Sequence, residues 1–287
     1  MLRISKLSFP GLGIGEFSVE SEAFSVFNTS IAWYALIITI GMICAVTYTI
    51  FRAAKIGIIL DDVLDFVIFT IPIGILGARL YYVFAEIEHY NTLADVFNIR
   101  EGGLAIYGGI IAGTITVFTV AQIKKISFLA IADCCTPGII LAQSIGRWGN
   151  FMNGEAFGSE TNIFCRMGVS NSLTAYQTVY VHPTFLYESL WNLIGFVLIN
   201  VFYKHKKYDG EIMLLVFGWY GLGRMFIEGL RADSLYTSIF GITFRTSQVL
   251  AALIFATCLS FLIYFYIKKP NKPLYVKTEK TVAKAKK

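Results

Sequence analysis

Two stretches of the chain concentrate residue types that grip anions. "GRWGNFMNGE", residues 146–155, puts Arg147, Asn150, Asn153, Gly154 and Glu155 within ten residues. "YGLGRMFIEGLR", residues 220–231, spaces Tyr220, Arg224, Glu228 and Arg231 by 4, 4 and 3, which sets them on one face of a helix. A guanidinium holds a phosphate through two parallel hydrogen bonds, and side-chain amides add donors. Such a set fits binding an anion and stabilising charge that builds on it. Other chemistry is poorly represented. His89, His182 and His205 stand at spacings that make no metal site, and no HExxH or Cys/His cluster occurs. The sequence contains no GxSxG elbow, P-loop or dinucleotide fingerprint, and no basic stripe with interleaved aromatics for nucleic acid. Gly108-Gly109 reads better as a helix-packing contact than as a phosphate cradle.

The elements that must position these residues are membrane spans. Charged residues make up 15% of the 287, against roughly 25% in ordinary soluble domains. The hydrophobic fraction is 56%, and the mean hydropathy is +0.64. A helix needs about 20 apolar residues to cross the hydrocarbon. Seven runs qualify: 31–51, 66–85, 102–123, 126–146, 185–203, 212–227 and 246–267. The predicted fold is therefore all-α and polytopic, with seven transmembrane helices in one membrane domain over 31–267. Residues 1–30 form an extracytoplasmic N-terminal segment. Pro10, Gly11, Gly13, Gly15 and Glu16 interrupt any signal-peptide core there, so the segment is expected to be retained. The five cysteines make no CxxC pair and no disulfide framework, and the default is buried thiols.

Orientation follows from Lys and Arg in the connections. The set 52–65, 124–127, 204–211 and 268–287 holds 15 of them, and the opposite set holds 7 in about twice the length. The N-terminus is thus expected outside and the C-terminus in the cytoplasm. The Lys-rich tail, 268–287, reads as a solvated end in preference to a lipid-contacting one. On this topology six spans deliver a polar residue to the outer leaflet. These include Tyr34, Arg79 in "GARLYYV", Tyr107 in "REGGLAIYGG", and His182 and Glu188 in "HPTFLYES". The inner half offers Asp133. Arg79 or Glu188 alone is equally well read as a helix-end residue snorkelling to the interface. Arg147 together with Arg224 is harder to dismiss: charges at membrane depth face a cavity or one another. The pair reads as an outward-facing site for an anion carried by a lipid.

These motifs, in this order and followed by "RTSQVL", closely resemble the prolipoprotein diacylglyceryl transferases over roughly residues 30–265. The resemblance implies a multi-pass enzyme of the bacterial plasma membrane. Its partners would be phosphatidylglycerol, the prolipoprotein signal peptide with its lipobox cysteine, and the surrounding membrane lipids, with no nucleic acid. The reaction it implies moves a diacylglyceryl group onto the cysteine as a thioether and releases glycerol 1-phosphate. It also implies that Arg147 binds the headgroup, that Asn150, Gly154 and Arg224 matter strongly, and that Tyr34, Glu155, Tyr220 and Glu228 support them. Asn153 is read beside them as a donor to the headgroup or to the outer segment 147–184. No cofactor or metal is implied.

One departure stands out: many family members carry His where this chain has Tyr107. A phenol of reference pKa about 10 is a poor base at neutral pH. Three readings remain. Nearby arginines activate Tyr107; a carboxylate such as Glu228 or Glu155 serves as base; or none is needed, because a thiol is already a few per cent ionised. The last is favoured. Segment 147–184 is expected to form a small head or lid, which meets the signal peptide or is purely structural. A transporter of anionic solutes and a membrane scaffold are the rival classes. The first would need polar residues continuing through the membrane, broken helices or repeats. The second leaves the arginines without a purpose.

Overall fold

The computed structural model describes residues 4–27, 29–90, 92–98, 102–232, 236–239, 242–268 and 273–277. Seven helices among them are long and apolar enough to cross a membrane. They are α1 (Trp33–Ala54), α2 (Leu60–Ala85), α4 (Ile106–Lys124), α5 (Phe128–Asn153), α6 (Thr184–Phe202), α7 (Glu211–Ile227) and α8 (Thr246–Lys268), with a short α3 (Leu93–Phe97) between the second and third. The protein is a predominantly helical, multi-pass membrane protein.

Three boundaries differ most from the sequence reading. The helix of the third span starts at Ile106, not 102, because Gly102 and Gly103 take positive φ of 89° and 75°. The second starts at Leu60, six residues early, with Asp61 and Asp62 in its first turn, where the helix dipole favours acids. The fourth continues to Asn153, so most of "GRWGNFMNGE" is helix and not a loop.

The chain divides into two compact units, one from residues 1–47 and 135–272, the other from 48–134 and 273–287. In the second unit α2 packs on α4 through small residues. A Cβ on Gly77 would come within 2.8 Å of the Gly108 carbonyl, and one on Gly108 within 2.3 Å of the Gly77 carbonyl. The pair is a helix-packing contact. Arg79, on α2, does not snorkel. It is 6% exposed, and its guanidinium donates to the carbonyls of Asp95, Val96, Asn98, Gly102 and Gly103 at 2.7–3.0 Å. Its donors are thereby committed to shaping the segment that leads into α4, and none remains for a lipid phosphate.

Beside Asp133, which is fully buried, the second unit holds further paired charges at helix ends. Asp62 is buried against Lys124 at 3.3 Å and Lys277, and Asp65 pairs with Lys124. Lys277 belongs to the tail that was expected to be solvated. Residues 273–277 instead dock, with Tyr275 packed on a buried cluster around Ile58 and Val63 and the Lys277 amide bonded to the Ile56 carbonyl at 2.8 Å. The rest of the Lys-rich run, 278–287, lies outside the described residues. These charges neutralise one another at helix ends, as charges at membrane depth must.

In the first unit the all-helical expectation misses an antiparallel four-stranded sheet ordered β2-β1-β5-β6, built from β1 (Ile4–Phe9), β2 (Ile14–Glu20), β5 (Met167–Ser170) and β6 (Val179–Val181). The N-terminal segment and the segment after α5 thus share one hydrogen-bonded structure. Leu7, Val19, Met167, Val169 and Val181 from its strands pack with Phe185 at the start of α6 and Phe151 near the end of α5. Two further hairpins, β3 (Glu22–Val26) with β4 (Thr29–Ala32) and β7 (Tyr236–Ile239) with β8 (Ile242–Arg245), lead into α1 and α8.

Candidate active site

Two clamps in the first unit bring α5, α6 and α7 together at the sheet end. Ser144 and Ser189 exchange hydroxyl-to-carbonyl bonds at 2.7 and 2.9 Å, and the Trp148 indole donates to the Ser189 hydroxyl at 3.1 Å. Trp191 and Trp219 stack with centroids 4.4 Å apart, and each indole N–H donates to the other's backbone carbonyl at 2.9 Å. Gly195 and Gly223 make room for them: a Cβ on either would come within 2.3 Å of a Trp ring.

Glu188 precedes Ser189 and lies three residues before Trp191, so both clamps hold it in place. It is 3% exposed. One carboxylate oxygen pairs with Arg147 Nη2, and the other with Arg224 Nη1 at 2.8 Å and, more loosely, with Arg231 Nη1 at 3.6 Å. Arg224 Nη2 reaches Glu228 Oε2 at 2.6 Å across one helical turn. Arg147 Nη1 points to Asn150 Oδ1 at 3.4 Å, and the amides of Asn150 and Asn153 both donate to Glu155 Oε1, at 3.4 and 2.9 Å. Because α5 runs on to Asn153, Asn150 does lie at i+3 on the face of Arg147. The two sequence motifs thus converge on one buried ionic network. Such networks contribute little net stability, but removing one partner leaves a buried charge uncompensated, at a cost of about 3–5 kcal/mol. A buried cluster that is costly to break and adds little net stability is the candidate site of this unit.

The match with known proteins decides the family. The family model described as prolipoprotein diacylglyceryl transferase matches residues 21–264. Phosphatidylglycerol–prolipoprotein diacylglyceryl transferases are similar over nearly their whole length. That of Clostridioides difficile (strain 630) is 41% identical, covering 88% of this chain and 98% of the relative. That of Streptococcus pneumoniae serotype 4 is 43% identical over 87% and 95%, and that of Listeria welshimeri 39% over 92% and 96%.

The chain belongs to the prolipoprotein diacylglyceryl transferase family.

Within this member of the family, the remaining sequence-derived candidates fall in four places. Tyr34, at the start of α1, lies against the α5 backbone beside Asn150: a Cβ on Gly149 would come within 2.7 Å of its ring. Tyr220 is half-buried one turn before Arg224 on α7. Gly154 ends α5 at φ +58°, and its carbonyl accepts from buried Asn171 at 2.7 Å. A Cβ there would sit 2.1 Å from the Ser5 hydroxyl of β1, so packing alone accounts for the glycine. Tyr107 belongs to the second unit, in the first turn of α4, and is 37% exposed.

Glu188 and Arg231 were the residues that sequence reasoning undervalued. The signal for Glu188 was present: a lone carboxylate inside an apolar run has to be paired if it is buried. What could not be read was that its partners lie on two other helices.

Proposed function

We infer that this chain transfers the diacylglyceryl group of phosphatidylglycerol to the lipobox cysteine of a prolipoprotein, an early step of lipoprotein maturation in the bacterial plasma membrane. The arginine pair Arg147 and Arg224, drawn together on Glu188, is the observation that carries this reading. The substrate thiolate attacks the glyceryl carbon bound to the phosphate oxygen. The S–C bond forms as the C–O bond breaks, and the electron pair leaves with the phosphate. A monoanionic diester becomes a dianionic monoester, glycerol 1-phosphate. Arg147 and Arg224 hold that phosphate and stabilise its growing charge. Asn150 and Asn153 support the headgroup together with Glu155, Tyr34 and Tyr220 shape the surrounding wall, and Gly154 acts through the packing of the α5 end on β1. A guanidinium group close to the incoming cysteine also favours its thiolate.

Purified protein with labelled phosphatidylglycerol and a lipobox peptide should yield lipidated peptide and labelled-headgroup glycerol phosphate in equal amounts. Absence of product from folded, lipid-reconstituted protein would sink the reading, and transport or scaffolding would then return.

The site faces outward in this reading, in line with the bias of 15 basic residues against 7 in the connections. A reporter active only in the cytoplasm should give signal when fused to the C-terminus. It should be silent when inserted beside exposed Tyr176, between β5 and β6. The reverse pattern would turn the site to the cytoplasm.

No dedicated base is required. Glu228 is committed to Arg224, and Glu155 to two amides. Tyr107→Phe should accordingly retain measurable transfer. A loss as deep as that from Arg147→Ala, in correctly inserted protein, would make the phenol obligatory.

A further inference from the structure

Glu188 raises a question that phosphate binding alone does not answer. The carboxylate draws the two guanidinium groups together, but it also places a negative charge beside any anion they hold. Glu188 uses both of its oxygens on Arg147 and Arg224, with Arg231 nearby, and it is the most central member of the cluster. The two clamps that flank it, through Ser189 and Trp191, fix it there. Any phosphate that reaches both arginines must therefore lie within a few ångströms of a buried negative charge. In a partly desolvated site that repulsion is strong, and it doubles for a phosphate carrying two charges. In the proposed reaction the phosphate enters as a monoanion and leaves as a dianion.

We propose that Glu188 is a specificity-determining residue that makes the arginine site discriminate by phosphate charge. It accepts the monoanionic phosphodiester headgroup and disfavours retention of the dianionic phosphomonoester product. The inference rests on the reading of the Arg147–Arg224 cluster as the headgroup site. A pair of arginines without the carboxylate would bind the dianion more tightly than the monoanion, and each turnover would end with the product trapped. Glu228 already offsets part of the charge of Arg224, and Glu188, the one carboxylate shared by Arg147 and Arg224, cancels a further part, which leaves enough to bind one charge but not enough to favour two. It is not offered as the base, since both oxygens are occupied by guanidinium groups.

Inhibition of transfer by soluble headgroup analogues tests the idea. Glycerophosphoglycerol is a diester monoanion, and glycerol 1-phosphate is a monoester, dianionic at about pH 8, above its second ionisation near 6. In the wild type the dianion should inhibit no more strongly than the diester. In Glu188→Gln, which keeps size and shape but loses the charge, the dianion should gain at least tenfold in potency relative to the diester, and steady-state turnover should fall below the first-turnover rate. Glu188→Asp, which keeps the charge, should retain the wild-type order. If Glu188 only holds the helices together, Gln would weaken both inhibitors and leave their ratio unchanged, and the proposal fails. The wild-type measurement is decisive even if the Gln variant does not accumulate: a dianion already tenfold more potent than the diester overturns the charge filter. Inhibition by neither compound would instead overturn the headgroup site itself, and this inference with it.

Discussion

Arg147→Lys is expected to lower the initial transfer rate per mole of inserted protein by well over tenfold, at saturating phosphatidylglycerol, with insertion unchanged. Arg147 serves two partners at once, Glu188 through Nη2 and Asn150 through Nη1. That division needs the planar fork of a guanidinium. An ammonium is a compact point donor on a flexible stem and can keep the ion pair or the amide contact, but it cannot reproduce both while facing a phosphate. If the phosphate becomes the leaving group, the lost geometry is felt in the transition state, where tenfold corresponds to roughly 1.4 kcal/mol. A residue that merely anchors the helix at the headgroups would tolerate Lys, because both side chains reach the interface. Full activity in the Lys variant would return Arg147 to that role.

Gly154→Ala should lose most of the folded protein, not merely its affinity for lipid. At φ +58° an alanine pays roughly 1–2 kcal/mol for the left-handed backbone. Its methyl group would also meet the Ser5 hydroxyl at 2.1 Å and the Asn171 amide at 2.8 Å. Asn171 is 0% exposed and bonds Ser5 and the Gly154 carbonyl, so displacing it forfeits buried hydrogen bonds worth about 1–3 kcal/mol. Protease resistance of the head and the yield of monodisperse protein should both fall. Adding Ser5→Gly, which removes the closest atoms, should recover part of the loss. A Gly154→Ala protein of normal yield and resistance, with only a raised KM for phosphatidylglycerol, would show that the glycine touches lipid instead.

Seven apolar runs of spanning length are a direct consequence of the bilayer's thickness, and all seven correspond to helices. The i+3 and i+4 spacings of Arg147 with Asn150, and of Arg224 with Glu228, placed each pair on one helical face, because that relation needs only the helix repeat. The motif order carried the family. Other features depended on contacts between distant segments, and no local pattern encodes those. Strands β1 and β5 pair across more than 150 residues of chain, and that pairing joins the β1–β2 and β5–β6 hairpins into one sheet, which neither hairpin announces by its own sequence. Arg79 and Glu188 looked alike as single charges in apolar helices. Tertiary structure gave Arg79 five backbone carbonyls and Glu188 three guanidinium groups, and so made one a loop clasp and the other the centre of the site. A buried charge must find partners; which partners it finds is decided only when the helices that carry them pack.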